Sequence, residues 1–152
     1  MVMSAVDVVM WSLHTAFAGA WTGSVLFFFA AVLPAASRGS IDGPTLSAIA
    51  TKLRWLTRAG VVVFVATGGH MAGTRYTFDS LLGTGRGHLV LTMLVLWFVL
   101  TALVEIGGSR IESADSNGQD AAAAGRPIFL VAGIVALGLL IDAGLLASGQ
   151  IV

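Results

Sequence analysis

The sequence predicts an all-α integral membrane protein, a four-helix up-down-up-down antiparallel bundle with both termini outside the cell. Three observations predict it. Of the 152 residues, 57% are hydrophobic and 11% are charged, against about 25% charged in a soluble domain. No soluble core of this size needs so much apolar surface, so lipid takes up the remainder. Four stretches each approach the ~20 apolar residues that a helix needs to cross the hydrocarbon. No alternation of strand type interrupts them, and backbone groups in lipid must be satisfied within their own segment, which selects helices.

The first span runs from about 8 to 33 and ends near Pro34. Its start, MVMSAVD, has no basic residue, and the apolar run exceeds the roughly 7–15 residues of a signal-peptide core. It reads as a span that is retained. The link AASRGSIDGPTLSAIATKLR follows, in which Asp42-Gly43-Pro44 marks a turn and helix start and predicts a short interfacial helix over 45–54. The second span covers 55–73, and TRYTFDSLLGTGRG joins it to the third, 88–106. The polar link GGSRIESADSNGQDAAAAGR, read as mobile, leads to the fourth span, 127–151, with Pro127 suited to a first helical turn. Short links favour antiparallel neighbours. Trp11 and Trp55 read as interface anchors.

Orientation follows from the Lys and Arg bias. Arg38, Lys52, Arg54, Arg58, Arg110 and Arg126 belong to the first and third links with their flanks; Arg75 and Arg86 belong to the second. Six against two places links one and three in the cytoplasm, and both termini with link two on the extracytoplasmic side of a multi-pass plasma-membrane protein. A net charge of zero with scattered basic residues excludes nucleic acid as a partner. The absence of cysteine excludes disulfides, thiolate metal sites and CxxCH haem attachment. The partners expected are the lipid bilayer and either a redox partner protein or a second copy of the chain.

The ionisable groups inside the spans converge on one depth. At 1.5 Å rise per residue, His14 lies roughly 10 Å inside the outer end of span one, and His70 roughly 7 Å from the outer end of span two. His88 opens span three, and Asp142 lies roughly 15 Å from the outer end of span four. A carboxylate at that depth should face the interior and have a partner, a Thr or His across the bundle, with Thr67 and Thr92 the candidate hydroxyls. Met10, His14, Ala18 and Trp21 share a helix face, as do His88 and Thr92. Gly68 and Gly69 precede His70 and either clear space for something large or allow close packing. Arg75, Tyr76 and Arg86 lie at the outer rim.

Two ligand chemistries suit this layer. A b-type haem takes one or two imidazoles, a flat apolar slot and cations near its propionates. His14 and His70 would be the ligands, Gly68 and Gly69 the space, and Arg75 and Arg86 the propionate partners through charge-assisted hydrogen bonds. Copper is the alternative, held by His14, His70 and His88 with Met10 or Met71, imidazole and thioether both suiting it. Asp142 would then move a proton or cation inward. A third reading is a structural membrane subunit in which the same groups only hydrogen-bond between helices.

The stretch LHTAFAGAWTGSVLFFFAAVLP resembles the first helix of the copper resistance protein D-like family and of the related J-type membrane protoporphyrinogen oxidases. Both carry a histidine, six residues, Trp, one residue, Gly, an aliphatic-aromatic run and Pro, matched here by His14, Trp21, Gly23, Leu26 to Phe29 and Pro34. GRGHLVLTMLVLW resembles the start of their third long helix, so the likeness covers spans one to three. The first family implies copper handling. The second implies haem b, with His14 as iron ligand, and protoporphyrinogen oxidation dependent on a third-helix lysine. That lysine has no counterpart: the region holds Val90 and Thr92, and Lys52 is the only lysine. The departure counts against the oxidase activity and leaves the haem site and a broader oxidoreductase role open. The expected function is a haem b-binding membrane protein in electron transfer or porphyrin handling, with copper binding or transport as the alternative.

Overall fold

The computed structural model describes residues 4–114 and 117–149, all of whose regular structure is helical. Helix α1, Ala5–Phe27, opens on a reciprocal cap in which the Ser4 hydroxyl accepts from the Asp7 N–H while the Asp7 carboxylate accepts from the Ser4 N–H. It continues through a π-helical turn, Phe28–Val32, into α2, Leu33–Ser37. The predicted end at Pro34 is therefore overrun. Proline removes one N–H from the ladder, and the wider turn just before it, where the Leu33 N–H donates to the Phe28 carbonyl, absorbs the mismatch.

Helix α3 is one piece from Gly43 to Arg75, capped by Asp42. The separate interfacial helix predicted over 45–54 is its first third. Residues 46, 50, 53, 57, 60, 64 and 67 are all buried and alternate steps of four and three, so one stripe runs unbroken across the predicted boundary. A short helix α4, Phe78–Gly83, follows, then α5, Gly85–Ser113, and α6, Gly118–Ser148. The polar link predicted as mobile is largely helical, shared between the end of α5 and the start of α6. Pro127 sits inside α6 rather than in its first turn. Gln150 and Ile151, the last residues of the predicted fourth span, lie outside the described residues.

Among the described residues, three helical stretches are long and apolar enough to cross a membrane: Ala5–Ser37, Gly85–Ser113 and Gly118–Ser148. The predicted span 55–73 falls in the fourth long helix, α3, whose apolar residues are diluted by Thr57, Arg58, Thr67, two adjacent glycines and His70. It packs against α1, α5 and α6. Trp21 meets Thr57 and His14 meets Thr67, so α1 and α3 run antiparallel. Phe64 against Trp97 and Arg54 against Glu105 set α3 antiparallel to α5.

The core gathers Trp21, Val25, Phe28 and Leu33 from the first helical stretch, Leu46, Ala50 and Phe64 from α3, Leu100 and Val104 from α5, and Phe129, Ala132 and Ala136 from α6. Small residues let α5 and α6 close up. A Cβ on Gly107 would come within 2.8 Å of Phe129, and one on Gly125 within 2.6 Å of Ile111. Outward faces carry large apolar side chains such as Val62, Val65, Val95, Phe98, Ile134 and Ile141, as lipid-facing surfaces do.

Candidate functional site

The α1/α3 seam carries a polar ladder inside an apolar frame. Asp7, His14 and Trp21 are seven residues apart on α1, so each returns to the face that meets α3. Their partners descend α3 in order: His70, Thr67 and Thr57. His70 Nε2 lies 3.0 Å from Asp7 Oδ1, His14 Nδ1 lies 2.8 Å from Thr67 Oγ1, and Trp21 Nε1 donates to Thr57 Oγ1 at 2.9 Å.

The proton on His14 can be assigned from the hydroxyl beside it. Thr67 has one O–H proton and gives it to the Val63 carbonyl, 2.6 Å away. Its oxygen can therefore only accept from His14, so Nδ1 carries the hydrogen. In a neutral imidazole the other nitrogen, Nε2, then presents a lone pair. The ring is held edge-on to Phe64 at 5.1 Å between centroids. His70 is oriented from α1: an ionised carboxylate only accepts, so Nε2 donates to Asp7 Oδ1. Imidazoles fixed at one nitrogen by an oxygen acceptor and bare at the other are the usual form of metal-ligating histidine.

The predicted layer separates into parts. His14, His70 and Thr67 come together on the α1/α3 seam, with Met10 and Met71 half-buried beside it. His88 does not join them: its ring is exposed and Nε2 donates to the Leu82 carbonyl at 2.8 Å, tying α5 to α4. Thr92, one turn on, faces outward as well. Among the described residues no three His, Cys, Asp or Glu side chains group as a metal site. Asp142 faces the interior as predicted, 4% exposed, but its Oδ2 has no hydrogen-bond partner among the described residues. The expected bond to Thr67 or Thr92 is absent, because the Thr67 hydroxyl is spent on Val63 and His14 and Thr92 points away.

The two glycines also differ. A Cβ on Gly68 would sit 3.3 Å from His14 Cε1, so the space it leaves is filled by that ring. Gly69 is exposed, with nothing within 4 Å of a Cβ. Hence the donor atoms of a haem ligand are present, and the space expected at Gly68 is taken by the His14 ring.

Arg75 and Arg86 are brought together. With Tyr76, Ser80 and Thr84 they line an open groove of about 320 Å³ at the α4 end of the molecule. A larger groove, about 540 Å³, lies at the opposite end between Ser37 and the Gln119–Leu130 part of α6 and holds none of the predicted site residues. That end also carries an ion network: Glu105 takes Arg58 at 2.9 Å and Arg54 at 2.9 Å, and Arg54 also meets Glu112. Glu105 thus bridges two guanidiniums on α3. Asp7 and Thr57 were missed altogether, although the seven-residue spacing of Asp7, His14 and Trp21 was there to find them.

By length and apolar composition this is a helical membrane protein with an imidazole pair on one internal seam. Comparison with protein-family models, with curated proteins and with solved structures gives no match for the chain.

Proposed function

We propose that the chain is a plasma-membrane haem b protein with an electron-transfer or porphyrin-handling role. The observation that carries this reading is the His14–Thr67–Val63 relay, which leaves Nε2 of His14 with its lone pair in the apolar part of the protein. His70, steadied by Asp7, is the second ligand. Arg75 and Arg86 supply two guanidiniums to one groove and are the propionate partners. Bound haem would supply one-electron chemistry; the chain's own residues fix the imidazole tautomers and receive the carboxylates. The first-helix likeness around His14 supports the same ligand.

Helix α3 is also a span in this reading, which makes a four-helix up-down-up-down bundle. The α4 end and both ends of the chain face the extracytoplasmic side, since Lys52, Arg54, Arg58, Arg110 and Arg126 all sit toward the other end. Copper is the second reading. It is less favoured because it needs His88 beside His14 and His70, and His88 is engaged with Leu82 on α4.

The test is optical. Full-length protein purified in detergent should be red, with a Soret band that moves on dithionite reduction, and His14→Ala should lose it. An undiminished band in that variant refutes the ligand. A colourless preparation with stoichiometric copper selects the second reading, and neither haem nor copper leaves a helix-packing role for the seam.

A further inference from the structure

The larger groove, at the end of the molecule away from α4, serves neither the haem nor the copper reading. It holds about 540 Å³ and is lined by Ser37, the last residue of α2, and by Gln119, Ala123, Arg126, Pro127 and Leu130 of α6. The α6 residues are spaced by threes and fours and form one face of that helix. All five are exposed, because the chain reverses at Gly39, φ 77°, and α2 ends beside α6 without covering this face.

Its polar groups divide into donors and acceptors. The Ser37 hydroxyl gives its proton to the Leu33 carbonyl at 2.9 Å, so its oxygen can only accept. Pro127 sits inside α6 and has no N–H, so the Ala123 carbonyl loses its usual helical donor. Among the described residues the side chains of Arg126 and Gln119 have no ion pair or hydrogen bond. The groove therefore offers a guanidinium and an amide as donors, and a hydroxyl and a carbonyl as acceptors. None of its lining residues is a carboxylate. One uncompensated positive charge beside two bare acceptors suits a monoanion that carries hydrogen-bond donors of its own.

The surroundings name the source of the anion. Gly118–Ser148 is long and apolar enough to cross a membrane, and Arg126 stands where its polar start, GQDAAAAGR, gives way to PIFLV. From Gln119 to Leu130 the helix rises roughly 16 Å. Over that rise the exposed face passes from amide and guanidinium to Leu130, 45% exposed. A slot that is basic at one end and apolar at the other matches a phospholipid, and basic pockets between helices at a membrane surface recognise anionic headgroups.

We propose that this groove binds an anionic phospholipid of the phosphatidylglycerol type. Arg126 and Gln119 take the phosphate, Ser37 Oγ and the Ala123 carbonyl take the headgroup hydroxyls, and Pro127 and Leu130 lie against an acyl chain. The site rests on the chain being in a bilayer and is independent of the haem reading.

The experiment is native mass spectrometry of the full chain released from detergent after titration with dioleoyl phosphatidylglycerol, dioleoyl phosphatidylcholine or dioleoylglycerol. The second has the same chains and phosphate but no net charge and no headgroup donor; the third has no phosphate. Wild type should retain phosphatidylglycerol over both. Arg126→Gln should lower that retention by about tenfold, the size of one lost charge-assisted hydrogen bond. Lys52→Gln removes an exposed cation that does not line the groove and should leave retention at the wild-type level. Ala123→Trp should lower retention by filling the groove with Arg126 intact. Equal retention of phosphatidylglycerol and phosphatidylcholine overturns the headgroup assignment, and so does displacement of the lipid by inorganic phosphate. Wild-type retention in Arg126→Gln, or the same loss in Lys52→Gln, overturns the site. If Arg126→Gln loses helicity by circular dichroism, Ala123→Trp carries the test, and wild-type retention there overturns the site. His14→Ala should leave lipid retention unchanged, so failure of the haem reading and failure of this site are separable.

Discussion

At the scale of single residues, the seam is governed by where protons sit. Thr67 serves as a relay because its own proton is fixed on Val63, and this decides the tautomer of His14. Thr67→Val should leave the Nδ1 hydrogen without an acceptor and cost about 1 kcal/mol of stability, typical of a lost interhelical bond in a membrane. If His14 binds haem, the same change should weaken retention roughly 10-fold, as loss of a ligand's supporting partner does, whereas Thr67→Ser should restore it. Equal haem titrations for valine and serine variants would remove the relay from the site. Outside the spans, Asp42 caps α3, and hydrogen bonds from Thr45, hydroxyl first and N–H second, hold its carboxyl below the usual range. A carboxyl lowered in the folded state contributes stability above its unfolded pKa, and that contribution is lost as pH falls through the folded value. The thermal midpoint of wild type should therefore drop in acid more than that of Asp42→Asn, whose side chain caps without titrating; parallel acid curves would contradict this.

At the scale of elements, glycines mark which faces are closed and which are open. Gly107 sits under Phe129, where a methyl group would be 2.8 Å from the ring. Gly107→Ala should destabilise the α5/α6 pair by about 1–3 kcal/mol through overpacking. Gly69 meets nothing, and alanine is the better helix former by about 0.5–1 kcal/mol. Gly69→Ala should thus be stabilising in the same thermal assay, and a loss of stability there would show that something in the membrane covers that face. The two substitutions are chemically identical, so their opposite signs would isolate packing as the cause.

At the scale of the whole molecule, sidedness is the open consequence. Natural cysteine is absent, so single cysteines report cleanly. Ser40 and Asp79 are both exposed and flank α3. With α3 as a span and the α4 end outward, Asp79→Cys should react with a membrane-impermeant maleimide on intact cells, and Ser40→Cys only after permeabilisation. Reversed labelling would invert the orientation, and labelling of both from one side would remove α3 from the membrane.

Much of this was legible in the residues. Apolar length and the scarcity of charge specified long helices apolar enough to cross a membrane, because that follows from local geometry and composition. Rotation about each helix axis was the missing quantity. It is fixed by which side chains interlock between helices, and it separated His88 and Thr92 from His14, left Asp142 Oδ2 buried with no partner among the described residues, turned Gly69 outward, and brought Arg75 to the same groove as Arg86 across a chain reversal. The sequence by itself determined that the chain is helical and apolar enough to cross a membrane. Only the tertiary structure decided which of its polar groups meet, because meeting depends on packing between segments that are far apart along the chain.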